Sequence, residues 1–238
     1  MNLDQLHINY QPDLSAIEFM KQSKISLLVG ISGAGKDTIQ SLLLNNPDYH
    51  RIITHTTRHP RENNGVLEKS GREYHFVSED EMCELLLSHR MIEINKFGPN
   101  YYGTSIDEFY RASQMNKIAL GDIDINGIDV FREFVGDAVR AIFIVPPDFE
   151  TWHHRFGLRY TSPEELNQVL PARLSTASTE LAYALSVPYY HFIINDDLER
   201  AVGVVDDIAH RPDMFVRQDD EARIVARNLL DQILEHSR

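Results

Sequence analysis

Short apolar runs alternate along the chain with amphipathic stretches. The first clear run, Lys24-Ile-Ser-Leu-Leu-Val-Gly30, reads as a buried strand ending in glycine. A helix pattern follows from Lys36 to about Leu44 and stops near Asn45-Asn46-Pro47, residues that do not continue helices. Three later runs read as further buried strands: Lys117-Ile-Ala-Leu120, Ala141-Ile-Phe-Ile-Val145 and His191-Phe-Ile-Ile194. Each closes on a breaker or polar cluster, respectively Gly121-Asp122, Pro146-Pro147 and Asn195-Asp196-Asp197. Helical patterns separate the strands, and such β–α alternation predicts an α/β fold with a parallel sheet covered on both faces.

Two stretches depart from that rhythm. Residues 51–104 are polar, aromatic-rich and alternating, which predicts a small mixed insertion rather than a crossover helix. Residues 149–180 carry helical patterns with clustered arginines and are expected to form a projecting arm. The tail from Asp219 to Arg238 reads as an amphipathic helix with acids at its start and Arg238 at its end. Ile224, Val225, Leu229, Leu230, Ile233 and Leu234 form its apolar side, expected to pack on the core, with a homo-oligomer contact as the alternative. There is no internal repeat and no low-complexity tract.

A length of 238 residues allows one domain with insertions or two small ones. The balance of 23 Lys+Arg against 36 Asp+Glu gives a net charge of −13, which excludes a general nucleic-acid binder. With 42% hydrophobic and 25% charged residues the chain can bury a normal core. The single cysteine, Cys83, excludes an intramolecular disulfide and any CxxC site. No apolar run approaches the roughly 20 residues that span a bilayer. Residues Met1 to Gln11 lack the apolar centre of a secretion signal. A soluble, cytoplasmic protein without membrane or nucleic-acid partners is expected.

The segment Gly30-Ile-Ser-Gly-Ala-Gly-Lys36 lies between a predicted strand and a predicted helix. Glycines there allow positive φ and close backbone approach, so several N–H groups can face one anion. The helix dipole and the Lys36 ammonium add positive charge where the β and γ phosphates of a nucleotide would sit. Gly30, Ser32, Gly33, Ala34, Gly35, Lys36, Asp37 and Thr38 are therefore the candidate ATP-phosphate site. Asp37 is off-pattern, because Ser or Thr usually follows the lysine and enters the magnesium shell. A carboxylate there either helps to hold Mg²⁺ or points away and stabilises the helix start.

Arginines cluster in two places, Arg58 with Arg61 and Arg155 with Arg159 and Arg173. Guanidinium groups stay charged and fork onto phosphate oxygens, so clusters downstream of a phosphate loop point to phosphoryl clamps. Asp122 and Asp124 stand two apart at a predicted strand end, which would put both carboxylates on one face. The adjacent His153 and His154 cannot share a helix face, so a metal-hydrolase pair is not expected from them.

Over residues 24–208 the chain resembles the guanylate kinase family. Besides the phosphate loop, the resemblance rests on Thr54-His-Thr-Thr-Arg58-His-Pro-Arg61, Gly71-Arg-Glu-Tyr74-His-Phe-Val77 and Glu93. It continues through Asn100-Tyr-Tyr-Gly-Thr104, Asp122-Ile-Asp124-Ile-Asn-Gly127, Pro146-Pro147 and Asn195-Asp196. The resemblance implies a P-loop NTPase-type parallel core (23–50, 107–148 and 181–210), a GMP-binding region (51–106) and a helical lid (149–180). Residues 1–22 and 211–238 are then extensions. It also implies Mg²⁺-dependent transfer of the ATP γ-phosphoryl group to GMP.

Residue by residue, the resemblance makes Arg58, Arg61, Tyr74 and Tyr102 the clamp on the GMP phosphate. Glu93 becomes the reader of the guanine N1–H and 2-amino group, with Thr54, Thr104 and Asp124 supporting the base. Lys36, Arg155, Arg159 and Arg173 become the catalytic cations, and Asn195 lies near the ATP adenine or ribose. Asp37, Thr38 and Asp122 are the candidate Mg²⁺ ligands. The chain departs from the family at Asp37, at Ile31 where proline is common, and in a lid that is longer between Arg159 and Arg173. The segment Glu62–Ser70 is also longer and lacks the Gly-Glu that normally follows the second arginine. Competing readings are a non-catalytic interaction module of the same fold and a kinase for another phosphorylated small molecule.

Overall fold

A computed structural model describes residues 2–63, 65–211 and 220–237. In chain order its elements begin with α1 (Leu3–Ile8), α2 (Leu14–Lys21), β1 (Ile25–Val29), α3 (Lys36–Leu43), β2 (Tyr49–Arg51) and β3 (His55–Thr56). There follow β4 (Glu62–Asn63), β5 (Val66–Leu67), β6 (His75–Phe76), α4 (Glu79–Leu87), β7 (Met91–Phe97), β8 (Asn100–Ser105) and α5 (Ile106–Gln114). The chain continues with β9 (Ile118–Asp122), α6 (Ile125–Val135), β10 (Val139–Val145), α7 (Phe149–Gly157) and α8 (Pro163–Ser186). It ends with β11 (Tyr190–Ile194), α9 (Leu198–His210) and α10 (Asp220–His236).

Contacts divide the chain into two compact units. One holds Ser26–Asn46, Asp122–Ile128 and Arg140–Arg238. Its strands run β11-β10-β1, with β10 and β11 parallel in the register Ala141↔Tyr190 to Val145↔Ile194. All five residues of β1 are buried, as a strand covered on both faces requires. Helices α3 and α9 pack together, and α10 packs on α7, α8 and β11. The expected helical tail is thus present from Asp220 to His236, while Asp219 and Arg238 lie outside the described residues. Its buried stripe differs from the expectation: Ala222, Ala226, Leu229 and Ile233 face inward, whereas Ile224 and Leu234 are exposed. Small alanines let the helix approach closely, so the seam follows steps of four, three and four residues instead of the largest side chains.

The other unit holds Met1–Ile25, Pro47–Gly121 and Asp129–Val139. Strands β2 and β9 pair in parallel, Tyr49↔Ile118 to Arg51↔Leu120. A separate four-stranded sheet runs β6-β3-β8-β7, with β3 parallel to β6 and antiparallel to β8. This is the mixed insertion expected from the alternating polar and aromatic pattern. A capping box between Ser78 and Glu81 starts α4. The long segment after Arg61 folds as a hairpin, β4 against β5, pairing Glu62 with Leu67 and Asn63 with Val66. One strand-end reading is corrected: β9 stops at Asp122, and Asp124 accepts a hydrogen bond from the Gly127 N–H at 2.7 Å at the start of α6. The two carboxylates therefore do not share a strand face. Asp124 acts as a helix cap, which is local chemistry that a two-residue period does not anticipate.

Candidate active site

The phosphate loop has the backbone that its glycines predict. Gly30 has φ of 146° after β1, and a Cβ there would run into the Ile144 carbonyl oxygen on β10. Gly35, at φ 92°, caps α3 in the left-handed region, and a Cβ would strike the Asn195 side-chain nitrogen. Only glycine fits both positions. Lys36 is the first residue of α3, at the positive end of the helix.

Neighbouring side chains brace that loop. Asn195, buried just after β11, donates its Nδ2 to the Ala34 carbonyl at 2.8 Å. Its own carbonyl accepts from Arg155 Nη1 at 2.8 Å. From α7, Trp152 donates its indole N–H to the Ser32 carbonyl at 2.8 Å. Arg159 donates to Ser32 Oγ at 2.9 Å. A cavity of about 310 Å³ opens here, lined by Gly33, Gly35, Thr38, Arg155, Arg159, Asn195 and Leu198. It is polar and bounded by two arginines, as a bound polyphosphate requires.

Asp37 is 74% exposed, and its carboxylate stands 3.8 Å from Arg159. An arginine therefore intervenes beside the off-pattern acid. Arg173 and Glu180 lie together on α8, sharing a small cavity with Ser32, Trp152 and Thr176. Burial pushes the Glu180 carboxyl above its ordinary range, with the charges of Lys36 and Arg173 pulling against that shift. Asp122 is exposed at the end of β9 and accepts from Gln40 Nε2 at 3.4 Å. Among the described residues no three ligating side chains converge as a metal cage. The hydroxyl of Thr38 and the Asp122 carboxylate are nevertheless hard oxygen donors. They fit an ion that takes few protein ligands and draws the rest from phosphates and water.

A second group of predicted residues gathers in the other unit. Arg58 is buried beneath its partner Glu68, to which it donates two bonds of 2.9 and 3.1 Å. The Arg58 guanidinium lies 5.2 Å from the Tyr74 ring centroid, and Tyr74 meets Tyr102 edge-on at 5.9 Å. A hydrogen bond with Tyr102 further favours the charged guanidinium. Arg61 is exposed, and its backbone N–H donates to Glu68 at 2.8 Å. Three of the four clamp residues are thus together, with Arg61 at their edge.

Glu93 is buried on β7 opposite Thr104 of β8. Its two carboxylate oxygens accept from Thr104 Oγ1 at 2.7 Å and from Asn95 Nδ2 at 2.8 Å. Thr54 immediately precedes β3 and accepts the His75 N–H through its carbonyl at 2.9 Å.

Three residues of these sites are not marked by any motif in the sequence. Glu68 directly follows the β4–β5 hairpin, Trp152 lies on α7 and Glu180 on α8. Glu68 carries a partial signal, since an acid is expected soon after the second arginine and reaches it here only when the longer loop folds back.

A sequence model of the guanylate kinase family matches residues 22–211. A guanylate kinase of Neisseria gonorrhoeae is 35% identical over 184 residues, covering 77% of this chain and 85% of that protein. One from Lactobacillus johnsonii is 30% identical over 189 residues, covering 79% and 88% respectively. The crystal structure of guanylate kinase from Anaplasma phagocytophilum superposes with a TM-score of 0.57 at 25% identity, covering 82% of this chain and 88% of that one.

Proposed function

Since the chain belongs to the guanylate kinase family and transfers the γ-phosphoryl group of ATP to GMP, we propose that it does so with the residues gathered above in their family roles. One observation carries this reading: the phosphate loop keeps its glycines in the left-handed backbone they require, with Lys36 at the helix start and Arg155 and Arg159 lining the adjoining cavity. An interaction module that had lost catalysis would have no use for such a cradle.

Phosphoryl transfer asks little covalent chemistry of a protein, so catalysis is positioning plus stabilisation of charge on the moving group. In this reading the loop N–H groups and Lys36 bind the ATP phosphates. Arg155, Arg159 and Arg173 neutralise charge on the transferring group. Asn195 keeps the loop in shape through its bond to Ala34. Arg58, Arg61, Tyr74 and Tyr102 take the GMP phosphate, which arrives as an anion and needs no general base. Glu93, oriented by Thr104 and Asn95, accepts from the guanine N1–H and 2-amino group, a donor pair that adenine lacks on that edge. Thr54 supports the base beside Glu93 in the same unit. Magnesium would be held by Thr38 and Asp122, with Asp37 turned to Arg159, and would supply charge neutralisation on the phosphates. The enzyme is read as cytoplasmic; no described helix is long and apolar enough to cross a membrane.

The deciding experiment is a coupled ADP-release assay with ATP and Mg²⁺, offering GMP, AMP, CMP and UMP in parallel. Rapid ADP formation with GMP alone is expected. Absence of turnover in protein that still binds GMP would restore the interaction-module reading.

A further inference from the structure

The carboxylate proposed to read guanine stands on a strand with an irregularity. Along β7 and β8 the register pairs Met91 with Ser105 and then Glu93 with Thr104. Two steps on β7 thus match one step on β8, and Ile92 is the extra residue. In a regular strand Met91 and Glu93 would point the same way. The extra residue reverses that. Met91 joins Tyr101 in an apolar cluster with Leu3, Met82 and Leu86, and Ile94 packs against it. Glu93, Thr104 and Tyr102 take the opposite face by alternation.

The N-terminal segment is tied to the cluster side of both strands. Tyr10 donates its hydroxyl to the Met91 carbonyl at 2.6 Å, at the point where the register shifts. Burial pushes that phenol up to about 12, so it remains a donor throughout the neutral range. Asp4 on α1 accepts from Lys96 of β7 and from the Tyr101 hydroxyl of β8, a cross-strand pair. The Lys96 ammonium lies 5.2 Å from the centroid of the Tyr101 ring, and His7 meets that ring edge-on at 5.2 Å. Leu3 closes the cluster from α1 at 3% exposure. Leu3, Asp4, His7 and Tyr10 all precede the family match, which begins at residue 22.

We propose that Tyr10 and Asp4 are positioning residues for base recognition: the N-terminal segment clamps the β7–β8 pair from behind and fixes the bulge that aims Glu93 at guanine. The inference rests on Glu93 as the base reader. Neither residue touches substrate. Both act through backbone and neighbouring side chains, so their loss should degrade discrimination at the base more than phosphoryl transfer.

The test uses the full chain with Tyr10→Phe, which keeps the ring and removes only the hydroxyl. KM for GMP should rise about fivefold, on the scale of one hydrogen bond's net contribution. The KM for ATP and kcat should stay within about twofold. The kcat/KM preference for GMP over inosine monophosphate, which lacks the 2-amino group, should fall. Tyr10→Phe placed in a Glu93→Gln background should change GMP binding less than it does alone, because both act on one contact. Asp4→Asn should shift the same readouts in the same direction and serves if Tyr10→Phe does not fold. Unchanged GMP parameters overturn the inference, as does equal loss for GMP, inosine monophosphate and ATP, which would mark a purely structural role. Glu93→Gln alone separates the two readings. If it leaves base preference intact, the reader assignment and this inference fall together. If it abolishes the preference while Tyr10→Phe does nothing, only the inference falls.

Discussion

Arg58 and Glu68 face each other through two parallel hydrogen bonds of 2.9 and 3.1 Å, with the side chains 8% and 9% exposed. The same carboxylate takes the Arg61 backbone N–H, so Glu68 organises both arginines of the proposed GMP-phosphate clamp. Its hydrogen bonds with Arg58 outweigh burial and hold the Glu68 carboxyl below the usual range.

Glu68→Ala leaves a desolvated guanidinium without this partner. The expected cost is about 3 kcal/mol in urea unfolding at neutral pH, the lower end for breaking a buried pair. A depressed carboxylate pKa stabilises the fold above the unfolded value of 4.5 and loses that contribution as pH falls through the folded value. The difference between wild type and variant should therefore shrink in acid. Saturating GMP supplies a replacement anion and should raise the variant's Tm more than the wild type's. Equal shifts would remove Arg58 from the phosphate clamp.

Lys36→Met and Arg155→Ala should each lower kcat by about 10² or more, the scale of losing one donor aimed at developing charge. GMP binding measured without ATP should change little, because Arg58, Arg61, Tyr74, Glu93 and Tyr102 belong to the other unit. Full turnover retained in both variants contradicts the proposed charge stabilisation.

Legibility followed the kind of constraint. The phosphate loop was readable because its geometry admits only glycine at Gly30 and Gly35, so the requirement is written in residue type. The parallel strands were readable from apolar runs such as Ala141–Val145, buried throughout. Glu68 was not, because its role depends on a hairpin returning it ten residues later to Arg58. The turn of Glu93 was hidden for a related reason: one extra residue, Ile92, reverses the face, and no local pattern announces it. On α10 hydrophobicity pointed to Ile224 and Leu234, but the close approach of neighbouring elements selected Ala222 and Ala226.

Gly30→Ala places a methyl group against the Ile144 carbonyl at a φ of 146°. Steric overlap and backbone strain together should cost above about 3 kcal/mol. Gly136 is a fair control, with φ of 56° and open space for 4 Å around the point where a Cβ would stand. Alanine there should cost only about 1–2 kcal/mol from the left-handed backbone. Thermal or urea unfolding of the two variants should rank them in that order, and similar losses would mean that β10 yields to the methyl group.

Acid sensitivity should begin at His55 on β3. Burial, reinforced by the charge of His75, lowers its pKa from 6.5 to about 4, against the pull of Glu108 and Asp107. The rings of His55 and His75 are 4.6 Å apart, and Arg111 adds further positive charge. The folded protein therefore keeps His55 neutral while the unfolded chain protonates it, so stability falls as pH drops from 6.5 towards 4. Between pH 7 and 5 that loss amounts to about 2 kcal/mol. Glu108 acts in a lower window. Burial pushes its carboxyl up, but hydrogen bonds from His50 and His75 and the charge of Arg111 hold it at about 2. Its contribution is complete above the unfolded value of 4.5 and disappears only as pH falls towards 2. His55→Gln should accordingly flatten the urea-unfolding profile between pH 7 and 5 while preserving the steeper loss below 4.5. A variant whose stability falls as much as wild type between pH 7 and 5 would clear His55 and move the acid response to its neighbours.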